Sequence, residues 1–543
     1  MAHDTVADTP PSDQTPSDRI AHAASLAGAA TLTSRILGLV REQVLAALFG
    51  AGDEMDAYFV AFRIPNLVRD LFAEGAMSAA FVPTFTRHLT LHGKQSAWRL
   101  ANNVINALLL ITGLLVVVGC TFATPLVTAY AKSFESVPGK LELTITLARV
   151  MFPFLIFVAL SVAVMGMLNS LRHYFVPSLA PATFNVVAIV CAFALTPLMP
   201  RFGYPRIMSM AIATLLGGVV QLLVQVPALR REGFRYRPTL EPADPGLHRI
   251  LLLMGPGTVG LAATQLNLFV STLLATGQGT GAVSWLQYAF RVMYLPLGLF
   301  GVSIATAVLP AAARHAAVHD TLAIRSTVSR GLTLMLMVNI PAACGLALLS
   351  HDIVRLLFER GHFTPSDTIA TAAALRIYAI GLIGYSTTRI ISPVFYALGR
   401  SRVPVVLSGV SVGVNLVLSL VLVRALGFVG LALATSMAAL TNATLCLFLL
   451  RMQLGGIGGR QLATALTKVA LASFVMSAVV VGVSRLLYAF ASEGNTISQA
   501  AVLAATIGAA LAALLIAGRV LQIDEFATVG AEVRRRVRML LGR

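Results

Sequence analysis

The chain has 543 residues, of which 57% are hydrophobic and only 12% charged, and its mean hydropathy is +0.82. Soluble globular proteins carry about 25% charged residues, so an ordinary cytosolic enzyme is excluded. The net charge of +17 comes from 40 basic against 23 acidic side chains; in so apolar a chain it indicates basic loops on a membrane protein, not a nucleic-acid binder.

Residues 1–24 hold Asp4, Asp8, Asp13 and Asp18 with Pro10, Pro11 and Pro16 between them, and read as a disordered polar tail. The tail lacks the basic start and apolar core of a cleaved signal peptide, so the first span is expected to direct insertion. A spanning helix needs about 20 mostly apolar residues. Breaks at charged, Gly and Pro clusters predict fourteen: 25–50, 55–86, 101–131, 143–170, 177–199, 207–230, 250–277, 283–313, 325–350, 367–397, 404–423, 427–450, 463–490 and 497–519. The longest connection, 231–249, is too short for a folded catalytic domain. Cys120, Cys191, Cys344 and Cys446 lie far apart in apolar runs, without metal-ligand or disulfide spacing.

Short-loop Lys and Arg set orientation. Even-numbered loops carry sixteen, among them Arg87, Lys94, Arg99, Arg172, Arg230 and Arg235, whereas odd-numbered loops carry eight, including Lys132, Lys140 and Arg206. That ratio places the even loops and both termini in the cytoplasm. The run Arg534-Arg535-Arg536-Val537-Arg538 suits a tail near anionic headgroups or an ordinary solvated tail.

An offset of 227 residues relates Pro83, Arg87 and His88 to Pro310, Arg314 and His315, Val176-Pro177 to Val403-Pro404, Arg149 to Arg376, and Gly50 to Gly277. Ala61-Phe62-Arg63 recurs near the same spacing as Ala289-Phe290-Arg291. Spans one to six therefore repeat as seven to twelve, and the even count gives both units one orientation. The fold class expected is an all-α polytopic membrane protein. Its organisation is a tail (1–24), an N-lobe (25–230), a cytoplasmic linker (231–249), a C-lobe (250–452), two appended helices (453–522) and a basic tail (523–543). Two such lobes related by a pseudo-two-fold along the membrane normal are a transporter architecture with its site between them. Pro65 in segment two and Pro296, Gly298 and Gly301 in segment eight are expected to interrupt both helices. Gly255-Pro256-Gly257 does the same at the start of segment seven.

Ionisable side chains within spans are functional candidates by default. Eight arginines fall within predicted spans: Arg35, Arg41, Arg63, Arg69, Arg149, Arg291, Arg376 and Arg389. Glu42, Asp56, Asp70 and Glu74 accompany them. Arg35 and Arg41 lie about 120° apart around a helix, at the edges of one wide face, and Glu42 is placed to meet an arginine of segment two. The second-repeat equivalents Ala262, Leu268 and Phe269 are apolar, so the charge belongs to the first half. Arg149, Arg376 and Arg389 suit snorkelling near an interface; Arg35, Arg41, Arg69 and Arg291 suit a wet cationic cavity for an anionic substrate, and Arg63, two residues before Pro65, suits either place. Guanidinium grips phosphate oxygens bidentately and stays charged. No Walker A sequence is present, so no cofactor is expected and the energy should come from an ion gradient, membrane potential or substrate gradient.

Ser34-Arg35-Ile36-Leu37-Gly38, Arg41-Glu42, Phe49-Gly50-Ala51-Gly52, the run Asp56 to Leu67, and Phe72-Ala73-Glu74-Gly75-Ala76 strongly resemble the MurJ/MviN lipid II flippases of the MOP exporter superfamily. Val283-Ser284-Trp285, Tyr288-Ala289, Arg291 and Pro296 carry the same resemblance, which covers about residues 25 to 520. It implies that the chain moves lipid II, the undecaprenyl-pyrophosphate-linked peptidoglycan precursor, across the bacterial inner membrane by alternating access. It further implies that Arg41, Arg69 and Arg291, with Arg35, hold the pyrophosphate, that Glu42 orients and neutralises, and that Asp56 gates or caps. Arg63, Pro65, Glu74 and Pro296 are the accompanying gating or structural positions, and the last two spans offer a path for the polyprenyl tail. The partners implied are lipid II, membrane lipids and the cell-wall synthesis machinery.

The chain departs from the family's pattern at Asp70, where relatives often carry a second basic residue, and at Phe290 and Tyr294, where acids often surround Arg291. The partner of Arg291 is therefore open. Some members bind sodium through carboxylates in the second lobe; the candidates here, Asn267, Ser411, Asn415 and Thr435, are all neutral. The alternatives are another MOP-type exporter (a polysaccharide-lipid flippase or an ion-coupled drug antiporter), a polyprenyl-phosphate enzyme, or a scaffold for wall synthesis. A cation antiporter needs carboxylates in its cavity, and an enzyme needs a large loop or an acidic metal motif.

Overall fold

Breaks in apolar character become helix ends. The computed structural model describes residues 16–70, 77–489 and 496–523, and among them no strand occurs. The N-lobe comprises α1 (Pro16–Phe49), α2 (Asp53–Arg69), α3 (Met77–Thr121), α4 (Ala123–Tyr130), α5 (Lys140–Met151), α6 (Phe154–Ser170), α7 (Phe175–Leu195), α8 (Met208–Leu223) and α9 (Val226–Arg231). The C-lobe comprises α10 (Pro245–Thr276), α11 (Ala282–Pro296), α12 (Val302–Ala317), α13 (Thr321–Leu348), α14 (Ser350–Phe358), α15 (Pro365–Ala397), α16 (Arg402–Leu426) and α17 (Phe428–Leu454). Two further helices follow, α18 (Gly459–Tyr488) and α19 (Thr496–Val520).

The 227-residue offset reappears in the helix ends. Phe49 and Thr276, Arg69 and Pro296, Thr121 and Leu348, and Ser170 and Ala397 each close corresponding helices. The break inside α3 obeys it too. Gly93 (φ 76°) kinks α3, and its counterpart Asp320 separates α12 from α13, accepting a hydrogen bond from Ala323 N at 2.9 Å as an N-cap. One break uses glycine's freedom at positive φ; the other uses a side chain that satisfies an orphan helix donor. Similar caps fix other starts, with Asp244 before Pro245 in α10 and a Thr364–Asp367 capping box before α15.

Ten helical stretches among the described residues, not fourteen, are long and apolar enough to cross a bilayer. The other four predicted segments are also helical where described, two of them within single helices and two divided. Segment 25–50 lies in α1 with Arg35, Arg41 and Glu42, and 55–86 is divided between α2 and α3. Segment 250–277 supplies the apolar stretch Gln265–Thr276 of α10, and a π-turn over Leu297–Gly301 divides 283–313. Residues 16–24, read as part of a tail, belong to α1, which starts at Pro16, a residue suited to the first helical turn; residues 1–15 lie outside the described residues. Pro65 does not break α2, which runs on to Arg69; a proline forfeits one backbone bond there, and neighbouring helices sustain the segment. At Pro296 the interruption does occur, as α11 ends and the π-turn begins. The backbone of α10 stays helical across Gly255-Pro256-Gly257.

The lobes meet along α2 and α11 and where the loop after α14 packs on the end of α1. Gly361 (φ +60°) approaches Ala47 so closely that a Cβ would overlap its carbonyl oxygen, and His362 N donates to that oxygen at 2.9 Å. Tyr288, fully buried, packs edge-on against Phe59 across the same seam. This tight end of the seam carries the odd-numbered loops.

Candidate functional site: a cationic cavity between the lobes

Below the closed seam, α1, α2, α6, α7, α8, α10 and α11 enclose a cavity of about 870 Å³. Five of its lining residues are arginines (Arg35, Arg41, Arg63, Arg69 and Arg291) and two are carboxylates (Glu42 and Asp70). Arg35, Arg41, Arg69 and Arg291 line it, and so does Arg63, whose position the sequence left open. Arg149 and Arg376 lie outside it on exposed surface, as expected of snorkelling residues, with Arg149 donating to Thr124 Oγ1 at 3.1 Å. Arg389 is half-buried and donates to Tyr294 Oη at 3.2 Å, which holds it beside the cavity rather than at an interface.

Glu42 does not meet segment two. It accepts from Arg41 Nη2 at 2.6 Å and lies 3.6 Å from Arg291 Nε, bridging the two lobes. Phe290 and Tyr294 thus leave Arg291 paired after all, because the acid comes from α1. The Glu42 side chain is 4% exposed and that of Arg291 48%, although Arg291 lies deep between the lobes; the accessible part of the guanidinium is what the cavity exposes. Arg69 pairs with its neighbour Asp70 through Nε at 3.0 Å and Nη2 at 2.7 Å, and Asn66 Nδ2 donates to the other oxygen at 3.1 Å. Asp70 therefore neutralises part of the charge without adding a base. Arg41 also lies over the Phe184 ring at 5.6 Å.

Several donors in the cavity are buried and unmatched. Arg41 Nε and both Nε and Nη2 of Arg63 have no hydrogen-bond partner among the described residues. Buried donors are normally satisfied, and each exception asks for an explanation; a polyanionic ligand supplies one.

Arg35 enters the cavity over Gly298. A Cβ built on Gly298 would collide with Arg35 Nη1, the far end of a flexible side chain. Gly298 is itself buried, but what a Cβ meets there can move, so we expect Gly298→Ala to cost no more than about 1 kcal/mol of stability. Transport should nevertheless fall severalfold as the guanidinium is displaced. A leaflet assay alongside a melting curve checks this, and unchanged transport would mean that Arg35's position is immaterial.

At the closed end, Asp56 is fully buried and accepts four hydrogen bonds. They come from Gly281 N (2.7 Å), Ser284 N (3.0 Å), Ser284 Oγ (2.7 Å) and Lys140 Nζ (3.1 Å). It caps the start of α11 from the opposite lobe. Lys140 Nζ also donates to Asp53 at 2.7 Å, and Thr280 Oγ1 donates to the same Asp53 oxygen at 2.7 Å. Loop counting treats Lys140 as a topology charge and misses this role; its signal was rarity, as one of four lysines (Lys94, Lys132, Lys140 and Lys468). Glu74 lies outside the described residues.

Three of the four neutral second-lobe candidates come together. Asn415 donates to Asn267 and, at 3.1 Å, to Ser271 Oγ, and Thr435 lies 3.5 Å from its oxygen. Ser411 does not join them; it donates to the Ala438 carbonyl at 3.0 Å.

The sequence model of the family described as "Lipid II flippase MurJ" matches residues 45–523. A protein of Vibrio cholerae serotype O1 named "Probable lipid II flippase MurJ" is 37% identical over 442 residues, covering 79% of this chain and 83% of its own. The solved structure titled "Lipid II flippase MurJ, inward closed conformation" is 27% identical with a TM-score of 0.75, covering 92% of this chain and 99% of that one. A multidrug-resistance MATE transporter of the MOP superfamily in an inward-facing conformation shares the fold alone, at 18% identity and a TM-score of 0.66 over 78% of this chain and 94% of its own. With the family pattern spanning most of its length, the chain belongs to the lipid II flippase MurJ family.

Proposed function

We propose that the chain is a multi-pass inner-membrane flippase that carries lipid II from the cytoplasmic to the periplasmic leaflet by alternating access, for peptidoglycan synthesis. The observation that carries this reading is the cavity, where five guanidiniums outnumber two carboxylates between two repeat lobes. A pyrophosphate matches that excess and the unmatched N–H groups of Arg41 and Arg63, since phosphate oxygens accept paired guanidinium bonds. Arg41, Arg69 and Arg291, with Arg35, hold the pyrophosphate; Glu42 keeps Arg41 and Arg291 in register; Asp56 holds the lobes together at one end.

Both termini face the cytoplasm, the closed seam faces the periplasm, and α18–α19 border the path of the lipid tail. The chain performs no covalent chemistry and needs no cofactor; an ion gradient or the membrane potential drives it, with the wall-synthesis machinery drawing on its product. A drug-cation antiporter is less well served, because an excess of fixed positive charge repels such substrates.

Complementation of a flippase-depleted bacterium with leaflet-resolved lipid II measurement tests the reading. Restored periplasmic-leaflet lipid II is the expected result. Growth failure with lipid II retained in the cytoplasmic leaflet, despite normal membrane levels of the protein, would overturn it.

A further inference from the structure

A second cavity, of about 690 Å³, lies away from the lobe interface on the outer side of the N-lobe. Leu109 of α3, Leu160 of α6 and Leu222 of α8 form its apolar walls, and Phe234, Arg230 and Arg235 close it on the even-loop side. It adjoins a surface of exposed large hydrophobics, including Leu110, Leu114 and Leu223, of the kind that faces acyl chains. Apolar walls on one side and fixed cations on the other reproduce the order of a lipid's tail and headgroup.

The cationic rim is built, not loose. Asn102 of α3 donates to the Arg235 carbonyl at 3.1 Å and accepts from Arg237 N at 2.8 Å. Asn103 makes the same paired contact with Glu241, at 2.9 and 2.8 Å, and Asn106 accepts from Tyr236 Oη at 2.7 Å. These bonds hold residues 235–241 as a strap along α3, so Arg235 stays at the mouth of the groove. The rim's charge is also available. Glu232, an acid of the same loop, is already engaged by His173 Nε2 at 2.7 Å and Lys94 Nζ at 2.9 Å, and those two partners hold its carboxyl below the usual range. Among the described residues, Arg230 and Arg235 have no ion-pair partner.

We propose that this groove binds one diacyl phospholipid with an anionic phosphodiester headgroup, its chains along Leu109, Leu160 and Leu222 and its phosphate between Arg230 and Arg235. The site is separate from the inter-lobe cavity and does not rest on the identity of the transported substrate.

Native mass spectrometry of the full-length protein tests it, with titration by phosphatidylglycerol and by phosphatidylcholine of identical chains. The first phosphatidylglycerol should bind about tenfold more tightly, as expected for two arginines at an anionic headgroup. Arg230→Gln with Arg235→Gln, both exposed positions, should reduce that preference to about twofold or less. Arg231→Gln with Arg237→Gln, equal in charge but outside the groove lining, should preserve it. Leu160→Trp should weaken both lipids by filling the groove, and Leu109→Trp serves if that variant does not fold. Equal affinity of the native protein for both lipids would overturn the proposal. So would a preference lost equally in both arginine pairs, which would mark diffuse attraction instead of a site.

Discussion

Arg291→Ala is expected to abolish the appearance of lipid II in the periplasmic leaflet while the protein reaches the membrane in normal amounts. Among the described residues, Arg291 is the cavity-lining arginine from the second repeat, and Arg35, Arg41, Arg63 and Arg69 come from the first. A ligand held by both lobes reports their relative position, and Arg291 is the second lobe's hold on it. Removing a charge-assisted contact costs about 1.5–3 kcal/mol, roughly a ten- to hundredfold loss. Folding should survive, because Glu42 retains Arg41 at 2.6 Å and loses only the longer 3.6 Å contact. Arg291→Lys keeps the charge but not the planar fork, so transport should fall between the native and alanine values. Native-level transport by Arg291→Ala would remove the cavity from the mechanism.

The repeat and the cationic cavity were legible from residues alone, for different reasons. Proline, glycine and arginine landmarks mark helix ends and interfaces, so a 227-residue offset in them survives into the helix boundaries. Charges within apolar runs are costly, which is why Arg35, Arg41, Arg69 and Arg291 could be assigned to a wet cavity before their helices were placed, whereas Arg63, two residues before Pro65, could not. Pairing was not legible. Glu42 reaches Arg291, 249 positions away, and nothing in local spacing selects that partner over an arginine of α2. Asp70 looked like a departure from a basic position, yet its effect is to fix Arg69 through two bonds.

Lys140 shows the limit of reading charge by loop. Its position between the predicted spans 101–131 and 143–170 placed it among topology residues, whereas tertiary packing buries its side chain to 2% exposure against two aspartates of α2. The neutral cluster around Asn415 shows the converse. Residues chosen singly as ion candidates turn out to satisfy one another, with Ser271 and Ser419 completing hydrogen bonds that the sequence did not connect.

Asp56→Ala should open the seam. The carboxylate has no exposed surface and receives two backbone N–H groups, one hydroxyl and one ammonium, three of them from the opposite lobe. Breaking a buried charged contact by removing one partner typically costs about 3–5 kcal/mol. Here that cost falls on the closed arrangement, since Gly281 N and Ser284 N regain water once the lobes part. A shift of that size is enough to invert a two-state population separated by a few kcal/mol. Amides around 280–288 should then exchange hydrogen tens of times faster, with α15–α17 unchanged, and transport should fall because one of the two alternating states is depleted. Asp56→Asn retains an acceptor for α11 but loses the attraction to Lys140, so its effect should be smaller. Lys140→Met leaves the cap on α11 in place and should resemble Asp56→Asn. Native exchange and native transport in Asp56→Ala would show that the seam is held by packing around Tyr288 and Gly361 instead, and that the buried carboxylate is dispensable to the cycle.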